Sequence, residues 1–261
     1  MPFTLAHPAA VLPLRGFRYL RTVPLVIGAL VPDASYYLPK NVGRYLIGNH
    51  SFTGSYTICL VLGYALLTGV FVLRRPLTAL LSGRARSLCL SALEPFRRNP
   101  REWAFAALAI VLGVWTHLLW DSFTHPEGWM VRRVAALSAP VSIGSYRGAV
   151  YHVLQYLSSA LGLAVLAVWY WRLPAPHALP AEPHAPRSSA GPVLLLVAAA
   201  ALLIGGVQAL EYFAHTHIVY HTLNVLLTNS LAWFALLYLA AGVIVTLEQA
   251  HERMPERRAS Q

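Results

Sequence analysis

Five stretches of the chain, at about residues 55–73, 102–124, 150–171, 193–213 and 224–247, stay apolar over the length needed to cross a membrane. A hydrocarbon core of about 30 Å takes roughly 20 apolar residues of helix, and with no water inside it every backbone N–H and C=O must be satisfied within the segment. An all-α, polytopic membrane helical bundle is the fold this demands. A sixth stretch, 22–38, is shorter and is broken by Pro24, Gly28, Pro32 and Asp33, so it either crosses or re-enters. The expectation is therefore five or six transmembrane helices.

Composition agrees. Hydrophobic residues make up 57% of the chain and charged residues 11%, far from the balance of a soluble domain. In a soluble protein a net charge of +10 would point to nucleic acid, but here the basic residues lie between the apolar stretches and describe topology. Membrane lipid is the expected surrounding, and no nucleic-acid partner is expected. Cys59 and Cys89 have no metal-binding spacing. No charged region followed at once by an apolar core marks a cleavable signal. Nineteen of the 20 basic residues are Arg, a bias that fits a GC-rich bacterial genome and hence a bacterial inner-membrane protein.

A single integral membrane domain, 1–261, is expected, without internal repeats. Residues 172–192 hold six prolines and read as an extended linker. A helical pair follows at 193–247 and a tail at 248–261. Short connections rich in Arg and Lys face the cytoplasm. With six spans the count is 15 basic residues inside against 5 outside; with a re-entrant first stretch it is 12 against 8. The loop at 74–101 is inside either way, and headgroup contact is its expected role. Parity then gathers His50, His117, His125, His152, His215, His217 and His221 on one side, expected to be extracytoplasmic. His177, His184 and His251 fall on the other, and His7 waits on the placement of 22–38.

The run Trp115-Thr116-His117-Leu118-Leu119-Trp120-Asp121-Ser122-Phe123-Thr124-His125 puts two imidazoles and a carboxylate into an apolar helix. At about 100° per residue, His117, Asp121, Thr124 and His125 share roughly a quarter to a third of the circumference. Such groups are costly in lipid, so they should face protein or a water-filled cavity, which makes them a functional-site hypothesis. His117 and Asp121, four residues apart, point the same way, and the pair suits Zn²⁺, Mn²⁺ or Fe²⁺. The alternative is a hydrogen-bonded pair that locks two helices together.

Four ordered motifs carry a resemblance. Met1-Pro2-Phe3-Thr4-Leu5-Ala6-His7-Pro8-Ala9-Ala10, Ile27-Gly28-Ala29-Leu30-Val31-Pro32-Asp33, Thr116 to His125, and Val153-Leu154-Gln155-Tyr156-Leu157-Ser158-Ser159 resemble the bacterial DUF4184 family of membrane proteins over most of the first 165 residues. That family in turn looks like the membrane-bound metal-dependent hydrolases of the YdjM type. Their pattern is an early His, a Gly-Ala-x-x-Pro-Asp motif, a His before the next span and a His-x-x-x-Asp helix. Carried over by position, the resemblance implies His7, Asp33, His50, His117 and Asp121 as ligands of a divalent metal, zinc first. Those relatives place a His-Arg-Gly-x-Thr-His-Ser element where this chain has Gly48-Asn49-His50-Ser51-Phe52, so one histidine is missing from the pattern.

Each candidate has a plainer reading beside it. Asp33 is a ligand, a general base or a helix cap. His7, before Pro8, is a ligand or stands at a helix start. His50 is a ligand or a surface residue. His125 precedes Pro126, which disfavours helix at residue 125; it completes a metal site or acts as acid/base beside it. His152 reads as interfacial. Glu211 with His215, and His217 with His221, form two more pairs at helical spacing, where interfacial placement is the simpler account. Trp103, Trp129, Trp169 and Trp171 read as interfacial belts.

The functional expectation is a metal-dependent hydrolase of an amphiphilic substrate, a lipid ester or phosphoester, with Asp33 or His125 taking the proton. A transporter or binding protein that uses the intramembrane His and Asp, or a structural scaffold, are the alternatives.

Overall fold

The computed structural model describes residues 4–38, 43, 48, 50–144, 146–174 and 190–259, without the side chains of 220 and 253–259. Among them, five helices are long and apolar enough to cross a membrane: Phe52–Val72, Arg101–Thr124, Val150–Arg172, Ala190–Thr216 and His221–Glu252. Each lies within a few residues of a stretch read from hydropathy, except that the last runs several residues further at both ends. Among the described residues the fold is all-α apart from one small antiparallel pair, β1 (Pro140–Ile143) and β2 (Tyr146–Ala149). The contacts divide the chain into two units, one of Met1–Ser35, Pro39–Leu67 and Pro95–Pro174, the other of Tyr36–Leu38, Thr68–Glu94 and Ala175–Gln261.

In the first unit the stretch 22–38 does not make a sixth span. Thr4–Gly16 is a 3-10 helix, a bend follows, and α1 (Thr22–Leu30) returns and runs on into a second 3-10 segment, Val31–Tyr37. At the bend, the Tyr19 ring lies 4.7 Å from that of Phe105, and Arg21 forks onto Glu102 with N···O distances of 2.8 and 2.6 Å. Both partners belong to the start of the long helix Arg101–Thr124. Thr4 and Asp33 meet near the finish of that same helix, so the N-terminal region is a re-entrant hairpin. The six-span reading had put residues 1–21 on the side away from the histidines. Instead Thr4 and His7 sit with them, and only Arg15 to Arg21 reach the opposite end. Re-entry is thus the one of the two alternatives for 22–38 that the structure takes; the first limb, Thr4–Gly16, escapes a hydropathy reading because it is short and buries against neighbouring helices.

Two glycines let the hairpin press against the long helix. A Cβ on Gly28 would lie 2.2 Å from the Ile110 carbonyl oxygen, and one on Gly113 would lie 2.3 Å from that of Leu25. Small residues at such crossings allow the backbones themselves to touch, which is what holds membrane helices together where lipid is as apolar as leucine. Val11, Leu20, Leu25, Ala29 and Ala109 are buried around this contact. A further helix of the unit, α7 (Val150–Arg172), is tied on by the Trp120 indole, which donates to Ser158 Oγ at 3.1 Å.

Arg21→Ala leaves the buried Glu102 carboxylate without its donor at the hairpin bend. We expect a loss of about 1–2 kcal/mol, small because Arg21 is itself part-exposed. Thermal unfolding in detergent measures it, and an unchanged midpoint removes this pair as an anchor.

Counting the remaining helices in chain order, α2 is Phe52–Tyr56, α3 Ile58–Val72, α4 Arg74–Ala79, α5 Gly83–Arg98 and α6 Arg101–Thr124; α8 is Ala190–Thr216 and α9 Val219–Ala259. Residues 74–101, read as a basic loop, thus carry α4 and α5; α5 is too charged to register as an apolar span. In the second unit α8 and α9 form a helical hairpin, pinned where Gln208 Oε1 accepts from Asn229 Nδ2 at 2.8 Å. α4 packs on α9, with the Tyr238 hydroxyl donating to the Leu77 carbonyl at 2.8 Å. Helix α9 continues through residues 248–259, where a tail was expected. Residues 175–189, most of the proline-rich linker with His177 and His184, lie outside the described residues.

Candidate metal centre

The i, i+4 spacing on α6 does what the sequence implies: His117 and Asp121 point to the same side, and both are shielded from solvent. What surrounds them comes from three other segments. His117 Nδ1 lies 2.9 Å from the carbonyl oxygen of Ala29 in α1. A carbonyl can only accept, so Nδ1 carries a proton, and in the neutral ring Nε2 keeps its lone pair. That Nε2 is buried and has no hydrogen-bond partner, yet it stands 3.1 Å from Asp121 Oδ2 and 3.7 Å from Asp33 Oδ1.

Asp33 arrives on the 3-10 segment that extends α1. Its Oδ2 accepts from the Thr4 hydroxyl at 2.6 Å, and its Oδ1 lies 3.2 Å from His50 Nε2. Burial pushes the Asp33 carboxyl up, but the donors His50 and Thr4, with the charge of His117, outweigh it and hold the group below its ordinary range. His50 stands one residue before Ser51, which caps α2 by accepting from the Gly54 N–H at 2.9 Å. The cap sets the direction of the chain, and the His50 imidazole, one-third exposed, also comes within 3.9 Å of Asp121 Oδ2.

Two more imidazoles approach Asp121 at its other oxygen. His7 Nε2 is 3.1 Å from Oδ1, and the His7 ring stacks on His117 with centroids 4.0 Å apart. The 3-10 helix repeats every three residues, which brings Thr4 and His7 onto one edge, with His7 Nδ1 donating to the Thr4 carbonyl at 3.2 Å. His125 terminates α6 in an extended conformation, as Pro126 demands. Its Nδ1 is 3.3 Å from Asp121 Oδ1 and its Nε2 is 3.5 Å from Gln155 Nε2. Burial holds the His125 imidazole below its ordinary value against the pull of Asp121.

Asp33, His50, His117 and Asp121 each offer one ligand atom, all within 4.8 Å of one another. Four of the edges between those atoms measure 3.2, 3.9, 3.7 and 3.1 Å. A tetrahedral ion with bonds near 2.05 Å has edges of roughly 3.4 Å, so the set fits a divalent cation. His117 Nε2 stands against two carboxylate oxygens, a contact that needs positive charge, a ring proton or a bound cation, between the lone pairs. The Ala29 carbonyl behind His117 is the kind of outer partner that fixes the ligand tautomer.

All five implied ligands and His125 therefore meet at one place, four as a ligand group and two against the far oxygen of Asp121. Thr124, on the same stripe, donates to the Trp120 carbonyl at 3.2 Å. His152 touches Tyr151, not the centre. Glu211, His215, His217 and His221 are exposed at the α8–α9 turn and form no ligand group among the described residues. Three participants escaped sequence reading. Thr4 and Gln155 lay inside quoted motifs, where a polar residue next to apolar neighbours was the available signal. The Ala29 carbonyl left none, because a backbone partner is not written in side chains.

Fold and centre together define a polytopic helical membrane protein with a buried His/Asp cluster able to hold a metal ion. The chain belongs to the DUF4184 family, a domain of unknown function, whose model matches residues 1–247. That match takes in the C-terminal helices, beyond the 165 residues that the motifs cover. No curated protein and no solved structure matches the chain.

Proposed function

We propose that the protein is a membrane-embedded metal-dependent hydrolase in which Asp33, His50, His117 and Asp121 hold the cation. The observation that carries this reading is the convergence of four ligand atoms within 4.8 Å of one another, with His117 Nε2 buried between two carboxylates and its Nδ1 held from behind by the Ala29 carbonyl. A divalent ion bound there, zinc first for a site of nitrogen and carboxylate ligands, would polarise a substrate oxygen and bring the pKa of a water towards neutrality. Thr4 orients Asp33 through its Oδ2, so the carboxylate keeps one oxygen on the centre. Asp33, or His125 beside Asp121, takes the released proton.

The opening is at His50, and the substrate class follows from its surroundings. Next to it Phe52, 62% exposed, stacks on Trp115 at 5.4 Å, and Tyr56 closes the aromatic group. Aromatic groups of this kind favour the lipid–water boundary, so the substrate is an amphiphilic ester or phosphoester with its chain on the membrane side. The protein then lies in the bacterial cytoplasmic membrane. Arg15, Arg18 and Arg21 occupy the hairpin bend beside the start of α6, which Arg97, Arg98 and Arg101 precede or open. The positive-inside rule puts that end in the cytoplasm and the centre on the outer side.

Aryl phosphodiester and aryl ester amphiphiles in detergent micelles, with the zinc-loaded protein, test the reading. Expected is chromophore release that chelation abolishes and added Zn²⁺ restores. Metal-loaded protein that turns over neither class refutes it.

A further inference from the structure

Ser122 stands in the last turn of α6, where its carbonyl would ordinarily accept from the N–H four residues on, but residue 126 is proline and has none. Met130 and Val131 take that place, their backbone N–H groups donating to the Ser122 carbonyl at 3.2 and 3.1 Å. Gly128 donates in the same way to the His125 carbonyl at 2.9 Å. The loop after α6 is thereby folded back onto the end of the helix, with Val131 buried and Arg132 and Arg133 exposed. At its far end the Val150 N–H donates to the Ala139 carbonyl at 3.1 Å, so the loop is also tied to the first residue of α7.

We propose that this loop, through Arg132, Arg133 and Trp129, is a docking surface for the headgroups of anionic phospholipids in the leaflet that borders the His/Asp centre. The inference goes beyond the proposed function and does not depend on it, because it concerns the retention of lipid without metal or turnover.

Topology does not account for these arginines. Orientation follows from an excess of basic residues at one end of the spans, and Arg97, Arg98 and Arg101 supply it at the start of α6. Arg132 and Arg133 lie past the other end, where they subtract from that excess. Residues 126–149 hold three arginines against one acidic residue, Glu127. Arg147, the third, is spent on the β1–β2 turn, donating from one nitrogen to the Gly144 and Tyr146 carbonyls at 2.7 and 2.9 Å. Among the described residues neither Arg132 nor Arg133 forms an ion pair.

The apolar groups beside them name the occupant. The Arg133 guanidinium carbon lies 4.2 Å from the centroid of the Trp129 ring. Stacking holds the planar group and leaves its N–H edge open, a fork of donors that matches two oxygens of a phosphate. Trp129 is 55% exposed and Ile143, on β1 of the same loop, 64%. An exposed indole and an exposed aliphatic chain in a short connection between two spans belong at the lipid–water boundary. At that depth the anion available to a guanidinium is a lipid phosphate, and each basic residue near an anionic surface adds to the attraction.

The test is native mass spectrometry of the full-length protein in detergent, without added metal, titrated with phosphatidylglycerol or with phosphatidylcholine. Expected is tighter retention of phosphatidylglycerol, a preference that Arg132→Gln with Arg133→Gln reduces about 5-fold or more. Both side chains are exposed, so the substitutions leave the fold intact. Arg133→Lys keeps the charge but loses the fork, and should retain part of the preference. Equal retention of the two lipids by the wild type overturns the inference, as does undiminished phosphatidylglycerol retention in the double variant. A loss confined to Arg97→Gln with Arg98→Gln overturns it too, since the preference then belongs to the other end of α6. So does full displacement of the lipid by inorganic phosphate, because the surface then binds the anion without a membrane.

Discussion

We expect Asp121→Asn to abolish metal binding at the centre while the protein still inserts and folds. Asp121 faces His117 and His7 at 3.1 Å, His125 at 3.3 Å and His50 at 3.9 Å. Asparagine keeps the shape but loses the charge, and its amide cannot serve as the anionic ligand. We expect metal affinity to fall at least about 100-fold, equivalent to about 2.7 kcal/mol. Stability without metal should hold or rise, because the new N–H group can donate to a histidine nitrogen that lacks a donor. The opposite signs separate a metal centre from a structural lock: a lock loses stability when its carboxylate goes. Metal content by elemental analysis and unfolding of the metal-free protein decide between them, and unaltered stoichiometry in the variant refutes the assignment.

Gly113→Ala should damage fold and centre at once, although it adds one methyl group at a residue that is not itself a ligand. That carbon would lie 2.3 Å from the Leu25 carbonyl oxygen, 2.8 Å from the Ala29 nitrogen and 2.9 Å from the Gly28 Cα. All three are backbone atoms, with no rotamer to turn aside, so α1 has to withdraw by about 1 Å, at a cost of about 3 kcal/mol. Ala29 moves with it, and the 2.9 Å bond that sets the tautomer of His117 stretches out of range. Metal affinity should then fall about 10-fold or more. Gly69→Ala is the control, since a Cβ there meets nothing within 4 Å; helix propensity makes it neutral or mildly stabilising. Equal unfolding midpoints for the two variants would show that close backbone approach does not hold the hairpin.

How far the molecule could be read in advance differs from segment to segment. The spans were legible because lipid imposes one requirement on each segment separately, and apolar length meets it. Of the hairpin only half was: 22–38 carried re-entry as one of two readings, while Thr4–Gly16 is short, holds two prolines and is surrounded by other helices. His117 with Asp121 was visible from helical spacing alone. Asp33, His50 and His7 came from a family pattern, which names residues but not which atoms meet. Glu211 and the three histidines near it had spacing as good as that of His117 and Asp121, and they lie exposed. Spacing along one helix does not say what a second helix brings to it.

From its order of residues alone, this chain is committed to the membrane and to a polar stripe that must be sheltered there, because partition between water and oil is summed locally along each segment. Only the tertiary structure decided which imidazole meets which oxygen of Asp121, and that the N-terminus doubles back to bring Thr4, His7 and Asp33 alongside. Those meetings depend on two backbones touching at Gly28 and Gly113, a distance relation between remote parts of the chain that no local sum contains.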